Sequence, residues 1–156
     1  MDVLENLEEE HRKVEQLIAT LESTTTAAQR EPILADLGDA LAKHMDVEEE
    51  RLYPIVEERL GSDVSRQANA QHDTARDDLA QLADQADRPG FTAALAQFKE
   101  DIGNHVSEEE NFIFPSLRAN AAQDIAELGD LHRLEDEVQQ ELIDENAELI
   151  DERLFR

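Results

Sequence analysis

The chain has 156 residues, no Cys and a net charge of −25, from 14 Lys and Arg against 39 Asp and Glu. That length suits one domain with a real core. The missing thiols exclude disulfides, thiolate metal sites and thiol catalysis, and the acidity repels nucleic acid and anionic membrane. No stretch approaches the roughly 18 apolar residues of a membrane span. The acidic start, Met1-Asp2-Val3-Leu4-Glu5-Asn6, lacks the basic region of a signal peptide, so a cytoplasmic location is expected. The charge reads first as a solvated acidic surface, with attraction of cations toward a metal site as a secondary benefit.

Ala, Leu and Glu dominate, and helix punctuation divides the chain. Ser23-Thr24-Thr25-Thr26 ends a first segment, and Pro32 suits the first turn of a second. Gly61-Ser62-Asp63 is a stop followed by an N-cap, Arg88-Pro89-Gly90 a turn, and Gly129-Asp130 another break. Helices are therefore expected near 3–23, 32–60, 64–86, 91–118 and 130–154. Pro54 and Pro115 should kink or end the second and fourth. The first helix places Leu4, Leu7, His11, Val14, Ile18 and Leu21 on one face; the second, Leu34, Leu37, Leu41, His44 and Glu48. The third places Ala68, His72, Ala75, Leu79 and Leu82 together, and the fourth Leu95, Phe98, Ile102, His105, Glu109 and Phe112. Steps of three and four mark the seams of a bundle.

Six of these seam residues form a repeat. His11 precedes His44 by 33 residues and Glu48 follows four later; His72, His105 and Glu109 repeat the pattern 61 residues on. The same shift carries Glu49 onto Glu110 and Tyr53-Pro54 onto Phe114-Pro115. A carboxylate among Leu and Ile is strongly disfavoured unless it is paired or binds a metal. With about 13 to 15 residues between each His and its interhelix turn, and roughly 1.5 Å per residue, antiparallel hairpins bring each His pair to one level. Two such hairpins make an antiparallel up-down four-helix bundle with His on four helices and Glu on two. The spacing suits a dinuclear site, with His11 and His44 on one metal, His72 and His105 on the other, and Glu48 and Glu109 bridging. An oxo or hydroxo bridge would add a fifth ligand and leave a position for dioxygen, peroxide or nitric oxide.

The motifs Glu10-His11-Arg12, His44-Met45-Asp46-Val47-Glu48 with Tyr53-Pro54, Gln71-His72-Asp73, and His105-Val106-Ser107-Glu108-Glu109 with Phe114-Pro115 resemble the hemerythrin-like, or HHE cation-binding, family. The resemblance covers residues 1–118 and leaves 119–156 as a helical extension that packs on the bundle or mediates a homodimer. It implies an all-α bundle holding two non-haem iron ions, bridged by oxo or hydroxo, that bind or react with O2, H2O2 or NO. Peroxide disproportionation is one expected activity. The alternative is a non-catalytic sensor of oxygen, nitric oxide or iron, or an iron-holding protein, acting through the C-terminal helix. Oxygen-carrying members have a second His one turn after the first in the third helix, where this chain has Arg76, and that leans away from reversible oxygen carriage. A ferritin-like site is unlike this one, because its Glu-x-x-His pattern occurs here only before His11.

Four further residues have plainer expected roles. Arg76 reads as a surface residue paired with Asp73, or else with a carboxylate near the site. Glu15 reads as a solvated flank, or else as an acceptor for an imidazole N–H. His132 lies outside the repeat and reads as a surface His, although Asp136 stands four residues on. Tyr53 reads as packing, as Phe114 does, with a hydrogen bond into the site as the alternative. The apolar residues of 130–154, including Leu149, Ile150 and Leu154, support a coiled coil only weakly, because Glu145 and Asn146 interrupt the stripe.

Overall fold

The computed structural model describes residues 1–154, apart from the side chain of Glu152. Residues 155 and 156, which the expected extension includes, lie outside the described residues. The described chain is all helical: α1 (Val3–Glu22), α2 (Ala27–Val47), a π turn (Glu48–Leu52), α3 (Tyr53–Leu60), α4 (Ser62–Asp84), α5 (Phe91–Glu108), a second π turn (Glu109–Ile113), α6 (Phe114–Asn120) and α7 (Ala122–Leu154). Each π turn joins its flanking helices into one rod. Four antiparallel rods therefore form the expected bundle, with α7 as the additional helix.

Local chemistry explains most of the boundaries. Asp2 caps α1 through a reciprocal pair with Glu5. The second helix starts at Ala27 rather than at the expected Pro32, because Thr26 and Gln29 form a capping box. Gln29 N–H donates to the Thr26 hydroxyl at 3.2 Å, and Thr26 N–H to Gln29 Oε1 at 3.3 Å. These cap bonds satisfy two donors of the first turn and offset the one missing at Pro32. Between α3 and α4 the chain reverses at Gly61, whose φ of 106° strains any L side chain. The expected break at Gly129 is absent: Gly129 lies inside α7 and a Cβ there would touch nothing. One glycine costs a helix only about 1 kcal/mol. The chain breaks instead at Ala121, with φ −139° and ψ 31°.

The π turns correct the expected seam of the fourth helix. Phe112, expected inside, is 49% exposed, whereas Ile113 and Phe114 are fully buried. A π turn holds one residue more than an α turn, so residues after Glu109 are rotated out of the α period.

The core consists of two apolar clusters separated by a polar layer. One contains Leu4, Leu7, Leu52, Tyr53, Val56, Ile113, Phe114 and Leu117, together with Ile125 and Leu128 of α7. The other contains Val14, Ile18, Leu21, Leu37, Leu41, Phe98 and Ile102. Beyond Leu128, α7 runs out of the apolar core, tied to the bundle by an Arg51–Glu135 ion pair, and its large apolar residues from Leu131 to Leu154 are 49% to 72% exposed. Among the described residues no helix is long and apolar enough to cross a membrane.

Candidate metal centre

The layer between the clusters is made of the six residues of the repeat. His11, His44, Glu48, His72, His105 and Glu109 are all buried, and both carboxylates are fully shielded from solvent. They reach the layer from all four rods: His11 from α1, His44 and Glu48 from α2 and the first π turn, His72 from α4, and His105 and Glu109 from α5 and the second π turn. Four imidazole Nε2 atoms point inward. Those of His11 and His44 are 3.1 Å apart, as are those of His72 and His105. Glu48 Oε1 lies 2.5 Å from His44 Nε2 and 3.4 Å from His72 Nε2. Glu109 Oε1 lies 3.2 Å from His105 Nε2 and 3.1 Å from His11 Nε2. Each carboxylate oxygen therefore touches one imidazole of each pair. Two overlapping sets are close enough to share a cation: His11, His44, Glu48 and Glu109, and Glu48, His72 and His105.

The outward nitrogens identify the tautomers. His11 Nδ1 is 2.7 Å from Glu110 Oε2, His72 Nδ1 2.9 Å from Glu49 Oε2, and His44 Nδ1 3.3 Å from Glu10 Oε2. His105 Nδ1 is 2.6 Å from Gln71 Oε1, and Gln71 Nε2 donates to Glu108 at 2.7 Å, which orients the amide. All four partners only accept, so the protons sit on Nδ1 and the inward Nε2 atoms are bare in neutral imidazoles. Burial and the neighbouring His105 lower the His72 pKa to about 4, so its ring is neutral near pH 7.

That donor set fits a cation. Bare nitrogens face each other at 3.1 Å, and Glu48 Oε1 and Glu109 Oε1 are buried without a hydrogen-bond donor. Such groups repel one another and are costly in a dry layer unless a positive charge lies between them. In the metal-free chain a proton substitutes in part. Burial, and then the charge of Glu109, push the Glu48 carboxyl well above the usual range. Burial acts upward on Glu109 too, but the proton it shares with Glu48 outweighs burial and holds it ionised. A metal ion would displace the shared proton.

Tyr53 belongs to this layer, contrary to the expectation of packing alone. Its hydroxyl donates to Glu109 Oε2 at 2.8 Å and lies 2.9 Å from His72 Nε2 and 3.3 Å from Glu48 Oε2. Burial and the two carboxylates raise its pKa, which keeps the phenol protonated. The π turn is what brings it there. Pro54 has no N–H and its ring clashes with the carbonyl four residues back. Widening the turn relieves that clash, with Tyr53 N–H bonding the Glu48 carbonyl, and it rotates Tyr53 inward. Phe114 enters the same way before Pro115 and stacks on His11, with ring planes 5° apart and centroids at 6.0 Å.

The flanking residues divide. Arg76 pairs with Asp73 at 3.2 Å and also reaches Glu49, the acceptor of His72. Hydrogen bonds from Arg76 and His72 outweigh burial and lower the Glu49 pKa. Glu15 is a solvated flank, 3.4 Å from Arg12, and Arg12 in turn pairs with Glu110. His132 is one-third exposed and 3.7 Å from Asp136, away from the layer. The sequence reading did not assign Glu10, Glu49, Gln71 and Glu110 as imidazole acceptors. Their signal was position: each lies next to a repeat residue, and the 61-residue shift carries Glu10 onto Gln71 and Glu49 onto Glu110.

A helical bundle with paired His and Glu clusters in a dry layer defines a class of cation-binding protein. The chain matches the family model described as Hemerythrin HHE cation binding domain over residues 2–117 and again over 63–156, and it belongs to that family. The second match starts one repeat after the first, so it falls in the register of the His and Glu repeat. No curated protein and no solved structure matches the chain.

Proposed function

We propose that His11, His44, Glu48, His72, His105 and Glu109 hold two iron ions, and that the loaded protein binds or turns over O2, H2O2 or NO, with disproportionation of peroxide to water and dioxygen as its activity. In this reading residues 1–118 carry the centre and 119–156 are an extension. The observation that carries it is the space above the imidazoles. A cavity of about 20 Å³ is lined by the four His rings with Val14, Leu41, Met45, Ala75, Ile102 and Val106. A volume that small holds about one water-sized molecule, so it suits a small oxygen species and excludes an organic substrate. Iron supplies a ferrous–ferric couple, which zinc lacks. The chain supplies the rest. The apolar lining excludes bulk water, the carboxylate and amide acceptors orient the rings, and Tyr53 holds a proton at Oη beside both glutamates. Protein expressed with ample iron should contain two irons per chain by elemental analysis and evolve oxygen from peroxide, and His44→Ala should do neither. Equal slow rates for the two would sink the catalytic claim.

A sensor reading has one specific support. Tyr53 and Phe114 share an apolar cluster with Ile125 and Leu128 of α7, so the floor of the site and the extension belong to one core. Changes in protease sensitivity of residues 130–154 between air and anaerobic conditions would favour it; identical digestion would count against it. The exposed stripe of α7, with Leu131, Leu134, Val138 and Leu142 at helical spacing, is proposed as a homodimer seam. Acidic flanks oppose self-pairing, so salt should strengthen the dimer, as light scattering at low and high ionic strength would show.

A further inference from the structure

The two halves of the centre are related by the 61-residue repeat, and they differ in two places. The first is behind the rings. His44 Nδ1 faces the Glu10 carboxylate directly, whereas His105 Nδ1 faces the neutral Gln71 amide, with the nearest charge, Glu108, one hydrogen bond further away. On the other ring of each half the charges balance, since His11 has Glu110 with Arg12 and His72 has Glu49 with Arg76. The second is in front. Tyr53 places its hydroxyl 2.9 Å from His72 Nε2 and 3.4 Å from His105 Nε2, whereas its counterpart Phe114 only stacks on His11. Both differences fall on the same half. A carboxylate behind an imidazole raises its basicity toward a metal more than an amide does. A hydroxyl against the inward nitrogens must give up that contact before they can bind a cation.

We infer that the centre fills in a set order, a first cation entering the His11–His44 half tightly and a second entering the His72–His105 half more weakly, with Glu10, Gln71 and Tyr53 as the positioning residues that set the difference. The inference rests on the two-cation reading of the site.

The test is a titration of the metal-free full chain with Co2+, followed by calorimetry and by the visible absorption of His-ligated cobalt, with helicity checked for each variant. The wild type should bind two ions in resolved steps. Repulsion between two cations also separates the steps, so the variants decide. Glu10→Gln keeps an acceptor on an exposed residue and should weaken the first step about tenfold, the low end of what outer partners contribute, while leaving the second unchanged. Tyr53→Phe should tighten the second step several-fold and leave the first. His105→Ala should retain the tight step, and His44→Ala should lose it. Two bound ions whose steps do not respond to Glu10→Gln or Tyr53→Phe would overturn the order and leave the two-cation site standing. A tight step lost in His105→Ala but kept in His44→Ala would reverse it. No binding by the folded wild type would overturn both readings.

Discussion

The bundle and the outer half of α7 carry the same apolar spacing and meet opposite fates. Leu4, Leu7, Val14 and Ile18 on α1 are buried, whereas Leu131, Leu134, Val138 and Leu142 on α7 are about half exposed. The polar residues invert the pattern. The bundle buries two glutamates and four histidines, while the described acids of α7 beyond Leu128 are exposed. Periodicity therefore establishes a helix and its face, but not what covers the face. A charge placed on the covered face then needs a reason that a charge in water does not.

The largest effect that sharpens this comparison is in the apolar clusters. Phe98→Ala should lower stability by about 3–5 kcal/mol in a denaturant titration, from lost burial and a cavity. The half-exposed Leu142 truncated to Ala should stay within about 0.5 kcal/mol in the monomer. Next comes pH in the metal-free chain. The folded state holds His72 neutral, with its pKa lowered to about 4 from 6.5. The unfolded state then binds the extra proton, so stability is lost as pH falls from 6.5 toward 4, by roughly 3 kcal/mol. Glu48 acts in the other sense. Its raised carboxyl keeps a proton that the unfolded state releases above 4.5. Its contribution therefore declines as pH rises from there, against the gain from His72. Thermal melts should therefore rise less steeply between pH 4.5 and 6.5 than His72 alone requires, and Glu48→Gln should steepen the rise. A smaller effect comes from removing the buried charge itself. Replacing Glu48 and Glu109 together by Leu should stabilise the metal-free chain by about 1–3 kcal/mol while abolishing cation uptake by elemental analysis. If that variant is less stable without metal, the layer is not strained as described. Smallest is a chain ending at residue 130, whose melting temperature at low concentration should match the full chain within about 2–4 °C, because among the described residues none beyond Leu128 enters the core.

The six inward residues were legible because each choice conflicts with its surroundings and the conflict occurs twice at the same spacing. The bundle was legible for a related reason, since loop punctuation and seam steps agree. What stayed hidden depends on departures from the α period. Counting at 3.6 residues per turn puts Phe112 inside and leaves Tyr53 as packing, because it misses the extra residue in each π turn. Gly129 reads as a break but does not act as one, because a lone glycine ends a helix only when a cap or a proline supports it. The imidazole acceptors lie beside the seam, about 100° round the helix from a ligand, and a carboxylate there looks like any other acid on this surface. Only the shared shift distinguishes them.

The π turns have a consequence for how this chain tolerates change in length. Each works as a one-residue phase shifter. Upstream of it a rod aims His and Glu at the centre; downstream the same rod aims Leu52 and Val56, or Ile113 and Leu117, at the cluster that seats α7. Deleting one residue within a π turn would restore a continuous α-helix, shorten it by about 1.5 Å and turn everything beyond it by about 100°. The centre would keep its imidazoles, lose its floor and release α7, so the two proline-bearing rods act as joints at which a single codon separates the metal layer from the helix that leaves it.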